Sequence, residues 1–145
     1  MLIRRMVIDD YDSVFNLWRN TPGMGLYTTD DSRESIERYL LRNPNTCFAA
    51  EVDAEIVGAI LSGHDGRRGF IYHAAVAVNQ RNSGIGGALV DAAMGALKNE
   101  GINKVGLTAY SNNEIGNRFW EKQGFTARTD LTYRDKEINK LERIK

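Results

Sequence analysis

Cysteine is nearly missing from this chain of 145 residues: Cys47 stands alone, so no internal disulfide forms and a disulfide-stapled scaffold is excluded. Proline occurs only twice, as Pro22 and Pro44, which excludes proline-rich and collagen-like architectures. Charge of one sign is missing too. Lys and Arg total 19, as do Asp and Glu, so no net field draws the chain to nucleic acid or an anionic membrane, and neither is expected as a partner. Long apolar runs are absent: the uncharged stretch through Phe70 to Gln80 falls short of the ~20 residues that cross a bilayer. The opening Met1-Leu2-Ile3-Arg4-Arg5 lacks the apolar centre of a signal peptide, and with the lone thiol this predicts a cytoplasmic location.

What is present is ordinary for a folded domain. Hydrophobic residues make up 42% and charged residues 26%, and the length suits one core, so residues 1–145 are read as a single domain. The apolar opening Leu2 to Ile8 predicts a strand, and Val14, Phe15, Leu17 and Trp18 repeat at helical spacing behind Asp9, Asp10 and Asp12. Asn20 to Gly25 breaks the chain, and Thr28 to Ser32 supplies caps for a second helix carrying Ile36, Tyr39 and Leu40. Cys47 to Val52 and Ile56 to Leu61 read as antiparallel strands about a tight turn. Phe70 to Val78, apolar on both alternating faces, reads as the most deeply buried strand.

A glycine-rich turn and a helix over Ala88 to Glu100 follow, with Ile85, Leu89, Ala92, Ala93 and Ala96 on one stripe and Gly101 as its stop. Lys104 to Ala109 predicts a further strand. Asn112 or Asn113 caps a last helix through Lys122, and Gly124-Phe125 ends it and starts another strand. The final dozen residues read as an edge strand or a solvated tail.

The stretch Arg81-Asn82-Ser83-Gly84-Ile85-Gly86-Gly87, between a strand and a helix, carries the chemistry. A helix N-terminus offers unpaired N–H groups and partial positive charge, and glycines let an anion approach the backbone. This is a candidate diphosphate cradle. Arg81 adds a cation, and a side chain placed at Gly86 is expected to enter the cradle. The bland alternative is that Ser83 caps the helix and the glycines only permit close packing. A dinucleotide fingerprint fits poorly, because Leu89 stands where its third glycine belongs, and no Gly-Lys-Ser or Gly-Lys-Thr supports a P-loop.

The arrangement resembles the Gcn5-related N-acetyltransferase (GNAT) superfamily, whose motif runs from a central strand through Arg/Gln-x-x-Gly-x-Gly/Ala into a helix. Val76 through Gly86 follows it, and Asn113, Gly116 and Phe119-Trp120-Glu121-Lys122-Gln123-Gly124-Phe125 are similar to a second family feature. The resemblance implies an α/β (α+β) fold with a mixed, mostly antiparallel sheet, flanked by helices and splayed between the fourth and fifth strands. It further implies an acetyl-CoA-dependent N-acetyltransferase with an amine acceptor, small-molecule or protein. The diphosphate would meet the amides from Asn82 to Gly87, with Arg81 alongside, and the pantetheine arm would pair with Ala74 to Val76. Asn113 and Trp120 would flank the thioester end.

The family's usual acid for the departing thiolate is a tyrosine where this chain has Trp120, whose indole does not transfer protons, and Thr108 stands where some relatives carry a glutamate base. Tyr72 and Tyr110 are therefore the catalytic candidates, Tyr72 on the face of Ala74 and Val76 if its strand is regular. His73, pointing away from Tyr72 by alternation, reads as structural, and His64 as exposed. Two separated histidines make no metal site. The competing function is a non-catalytic acyl-CoA binding or sensing module, and a homodimer is the expected assembly.

Overall fold

A computed structural model describes residues 1–145. Five strands form one sheet in the order β1 (Leu2–Arg5), β2 (Phe48–Val52), β3 (Glu55–His64), β4 (Gly69–Val76) and β5 (Val105–Leu107). The first four pair antiparallel and β4 pairs β5 in parallel. Helices α1 (Tyr11–Arg19) and α2 (Arg33–Arg42) cover one face, and α3 (Ile85–Asn99) and α4 (Glu114–Lys122) lie on the other. None of these helices is long and apolar enough to cross a membrane.

Local chemistry accounts for the boundaries. Asp53 and Ala54 turn at positive φ between β2 and β3, Ser32 caps α2 by accepting from the Ser35 amide at 3.2 Å, and Gly101 at φ +85° follows α3. Val14, Trp18, Ile36 and Leu61 fill the core under α1 and α2, whereas Ile60, Ile71, Leu89 and Ala93 fill the one under α3. Burying a side chain of this kind stabilises by roughly 1.5–3 kcal/mol.

Three expectations are corrected. The most deeply buried strand is β3, central in the sheet, and β4 is only half covered, with Tyr72 58% exposed. No strand starts at Gly124-Phe125: charged, exposed residues follow it, and the end of the tail is held where the Thr28 amide donates to the Glu142 carbonyl and the Ile144 amide to the Leu26 carbonyl, both at 2.9 Å. Finally, β4 is not regular. Leu61 pairs with His73 but Ser62 pairs with Ile71, so Tyr72 is an extra residue, a β-bulge.

Candidate active site

The bulge reverses the predicted facing of Tyr72. Ile71 and Ala74, three residues apart, both pack in the α3 core, so Tyr72 and His73 together turn to the α1–α2 face. There Tyr72 meets Tyr39 of α2 edge-on at 5.8 Å, and the His73 ring meets Trp18 of α1 at 4.7 Å. Tyr72 therefore does not share a face with Ala74 and Val76, nor does His73 point away from it.

Beyond the bulge one edge of β4 is open. Its pairing with β5 ends at Ile71–Leu107. On the β3 side the Ala77 amide donates to the Val57 carbonyl at 2.7 Å, and antiparallel pairs alternate, so the Ala75 amide also points to β3. The Ala74 and Val76 amides point the other way, where no strand receives them. Ala74 and Val76 side chains belong to the same apolar cluster as Phe119 and Trp120 of α4.

Past a short 3-10 turn the chain enters the glycine stretch. No amide from Asn82 to Gly87 has an acceptor in the chain, and α3 has no side-chain cap. Asn82 (φ +64°) and Gly84 (φ +85°) adopt left-handed conformations, and a Cβ on Gly84 would meet nothing within 4 Å. These free amides at a fifteen-residue helix's N-terminus suit a diphosphate.

The other residues of the stretch divide their roles. Ser83 does not cap α3, because its hydroxyl donates to the Gln80 carbonyl, and Arg81 Nε reaches the Val76 carbonyl at 3.4 Å. Ile85 is buried in the α3 core. A Cβ on Gly86 would lie 2.8 Å from Phe119 Cε1, and one on Gly87 3.5 Å from Gln123 Nε2. Gly86 thus points at α4, not into the cradle as expected, and it is the glycine that lets α4 close on α3.

Asn113 caps α4, its Oδ1 accepting from the Gly116 amide at 3.1 Å. Trp120 packs between Phe119 and Phe125, with ring centroids 5.0 and 5.3 Å away. Tyr110, 47% exposed, lies under the Arg143 guanidinium at 5.5 Å, with its hydroxyl against Gly25. Tyr110 and Asn113 therefore meet the Gly23–Gly25 loop, and Tyr72 meets α2.

The remaining candidates settle as structural groups. Cys47 is 1% exposed, and burial pushes its thiol up to about 12, against a smaller lowering by the Ser62 backbone. His64, expected exposed, instead bonds Glu100 at 2.9 Å through Nε2 and accepts from the Gly66 amide through Nδ1. No group of three or more His, Cys, Asp or Glu side chains is arranged to hold a metal ion. Sequence reading missed Asp31, assigned only to a capping stretch: it lies 2.7 Å from His73 Nε2. The one available signal was an Asp ahead of the second helix with no apolar role.

The Acetyltransferase (GNAT) family profile matches residues 11–125. The chain belongs to this family. An acetyltransferase of Sodalis glossinidius is 33% identical over 122 residues, covering 84% of each chain, and one of Pectobacterium atrosepticum is 33% identical over 122 residues, covering 84% of this chain and 85% of its own. The PaiA N-acetyltransferase of Thermoplasma acidophilum, solved with coenzyme A, shares the fold at TM-score 0.76 and 19% identity over 88% of this chain and 90% of its own. Ard1 of Thermoplasma volcanium does so at TM-score 0.75 and 24% identity over 86% and 82%. As a GNAT protein, the chain is an acetyl-CoA-dependent N-acetyltransferase, and the acetyl donor supplies an activated thioester to an amine.

Proposed function

We propose that the acetyltransferase holds its donor along one continuous track, from the amides of Asn82 to Gly87 to the open edge of β4, and receives its amine over the bulge. The observation that carries this reading is the row of free amides leading through a short turn to the outward Ala74 and Val76 amides. Amides between Asn82 and Gly87 hold the diphosphate, with Arg81 free to leave the Val76 carbonyl and join them. Ala74 and Val76 hold the pantetheine amides as a neighbouring strand would, and Asn113 and Trp120 bound the arm on the α4 side.

The thioester then falls beside Tyr72 and His73, because the arm runs back along β4 from its phosphate end. Tyr72 and Tyr110 are the hydroxyls assigned to protonate the thiolate in place of the tyrosine replaced by Trp120. The acceptor enters between the Gly23–Gly25 loop, α2 and the tail. Its primary amine belongs to a small molecule or a protein, in a reducing cytoplasm where the buried Cys47 thiol stays free. The balanced charge supports neither nucleic acid nor membrane as a partner, and a homodimer is the assembly assigned.

The test is thiol release from acetyl-CoA with spermidine, a lysine-containing peptide with a free N-terminus, and an aminoglycoside as acceptors. Amine-dependent release with acetylated product detected by mass is the expected result. Tight binding of acetyl-CoA without turnover on any acceptor contradicts it and points to an acyl-CoA sensing module.

A further inference from the structure

Asp31 lies in the segment ahead of α2, and hydrogen bonds to three residues fix it. Its Oδ2 accepts from the Tyr27 amide at 2.8 Å, its backbone carbonyl accepts from the Tyr11 hydroxyl at 2.6 Å, and its Oδ1 meets His73 Nε2 at 2.7 Å. Asp31 and His73 side chains are 6% and 12% exposed. A carboxylate at Nε2 places the imidazole proton there and leaves Nδ1 as a bare acceptor. Nδ1 has no partner in the chain, yet it is not enclosed: the one buried side-chain nitrogen or oxygen without a partner is Trp18 Nε1. His73 thus presents an oriented, unbonded lone pair from the residue next to the bulge, on the face where Tyr72 stands.

We infer that His73 is the catalytic base of this acetyltransferase, taking the acceptor amine's proton on Nδ1, and that Asp31 is its positioning residue. The inference rests on the donor track described above. The amine nitrogen bonds the thioester carbonyl carbon, the C–S bond breaks, and the proton lost from nitrogen passes to Nδ1. The tyrosine hydroxyl assigned to the thiolate protonates it and recovers its proton from the imidazolium, so the proton leaving nitrogen ends on sulfur. No other reactant is consumed. The pair supplies the proton carrier that Thr108 and Trp120 do not.

The test uses the full chain carrying His64→Gln, in which His73 is the only imidazole. Diethyl pyrocarbonate, which acylates a bare imidazole nitrogen, is added with and without acetyl-CoA, and modification is located by mass spectrometry. His73 is expected to react in the free chain and to be protected at least ~10-fold by acetyl-CoA at concentrations that saturate a calorimetric titration. In the otherwise unaltered chain, His73→Gln, which keeps a donor for Asp31, is expected to lower turnover on the amine panel by about 10²-fold or more, with acetyl-CoA affinity unchanged. Asp31→Asn is expected to lower kcat with KM for acetyl-CoA unchanged. Imidazole added to His73→Ala is expected to restore part of the rate, which a purely structural histidine would not allow.

A His73 that resists the reagent, that reacts equally with acetyl-CoA bound, or whose Gln variant turns over fully would overturn the assignment. Absence of acetyl-CoA binding, or binding without turnover by the unaltered chain, would instead overturn the reading on which it rests.

Discussion

Phe119 closes on the Cα of Gly86 so tightly that a Cβ there would stand 2.8 Å from its ring. This contact joins the start of α3, with its free amides, to α4. Gly86→Ala is expected to destabilise the fold by about 1–3 kcal/mol through overpacking and to weaken acetyl-CoA binding by moving α4. Thermal unfolding and calorimetric titration of the variant check both. Full stability would show that Phe119 yields freely. Phe119→Leu in the same chain is expected to recover part of the loss.

Tyr72→Phe and Tyr110→Phe are expected not to leave turnover unchanged in both cases, since one hydroxyl is assigned to the thiolate. A loss of about 10²-fold in kcat with little change in acetyl-CoA affinity identifies which. Two fully active variants would give the thiolate's proton to water.

Cys47 takes no part in transfer. With its thiol pushed up to about 12, it holds roughly a thousandfold less thiolate at pH 8 than a free cysteine. Iodoacetamide is expected to leave the folded protein unmodified and fully active, and to label Cys47 once the chain unfolds. Rapid loss of activity in the folded state would contradict this.

Acid is expected to loosen the joint between β1 and α1. Burial works against the Asp10 charge, but the two Arg4 bonds at 2.8 Å and the Val7 amide outweigh it and hold the carboxyl below its ordinary 3.8. A group whose folded value is depressed stabilises above the unfolded value and loses that contribution as pH falls through the folded one. Thermal stability should therefore fall as pH drops below 3.8, and Asp10→Asn should lose about 1–3 kcal/mol at pH 7 and show less acid dependence from this site. An equal acid response in both proteins would assign the effect elsewhere.

Much of this architecture was legible from local pattern. Helical spacing in Val14 to Trp18, the caps at Ser32 and Asn113, and the glycine run into Ile85 each act within a few residues, and each holds in the fold. Two features were not legible. The bulge at Tyr72 depends on how β4 registers against Ser62, ten residues back, and one inserted residue was enough to reverse the facing of Tyr72 and bring it to the face of His73. Asp31 and His73 meet across 42 residues of sequence, a distance no local period reports. Gly86 illustrates a third limit: its freedom from a side chain was visible, but not whether anion or Phe119 needs the space.

The central claim is that the amides from Asn82 to Gly87 and the open β4 edge hold acetyl-CoA, and calorimetric titration of the purified protein tests it most directly, with NAD and ATP as controls. The account predicts saturable 1:1 binding of acetyl-CoA, weaker or absent binding of both controls, and lower acetyl-CoA affinity for a folded Gly84→Val variant, whose φ of +85° a branched side chain disfavours. A folded protein that binds none of the three, or that binds NAD or ATP in preference to acetyl-CoA, would contradict it.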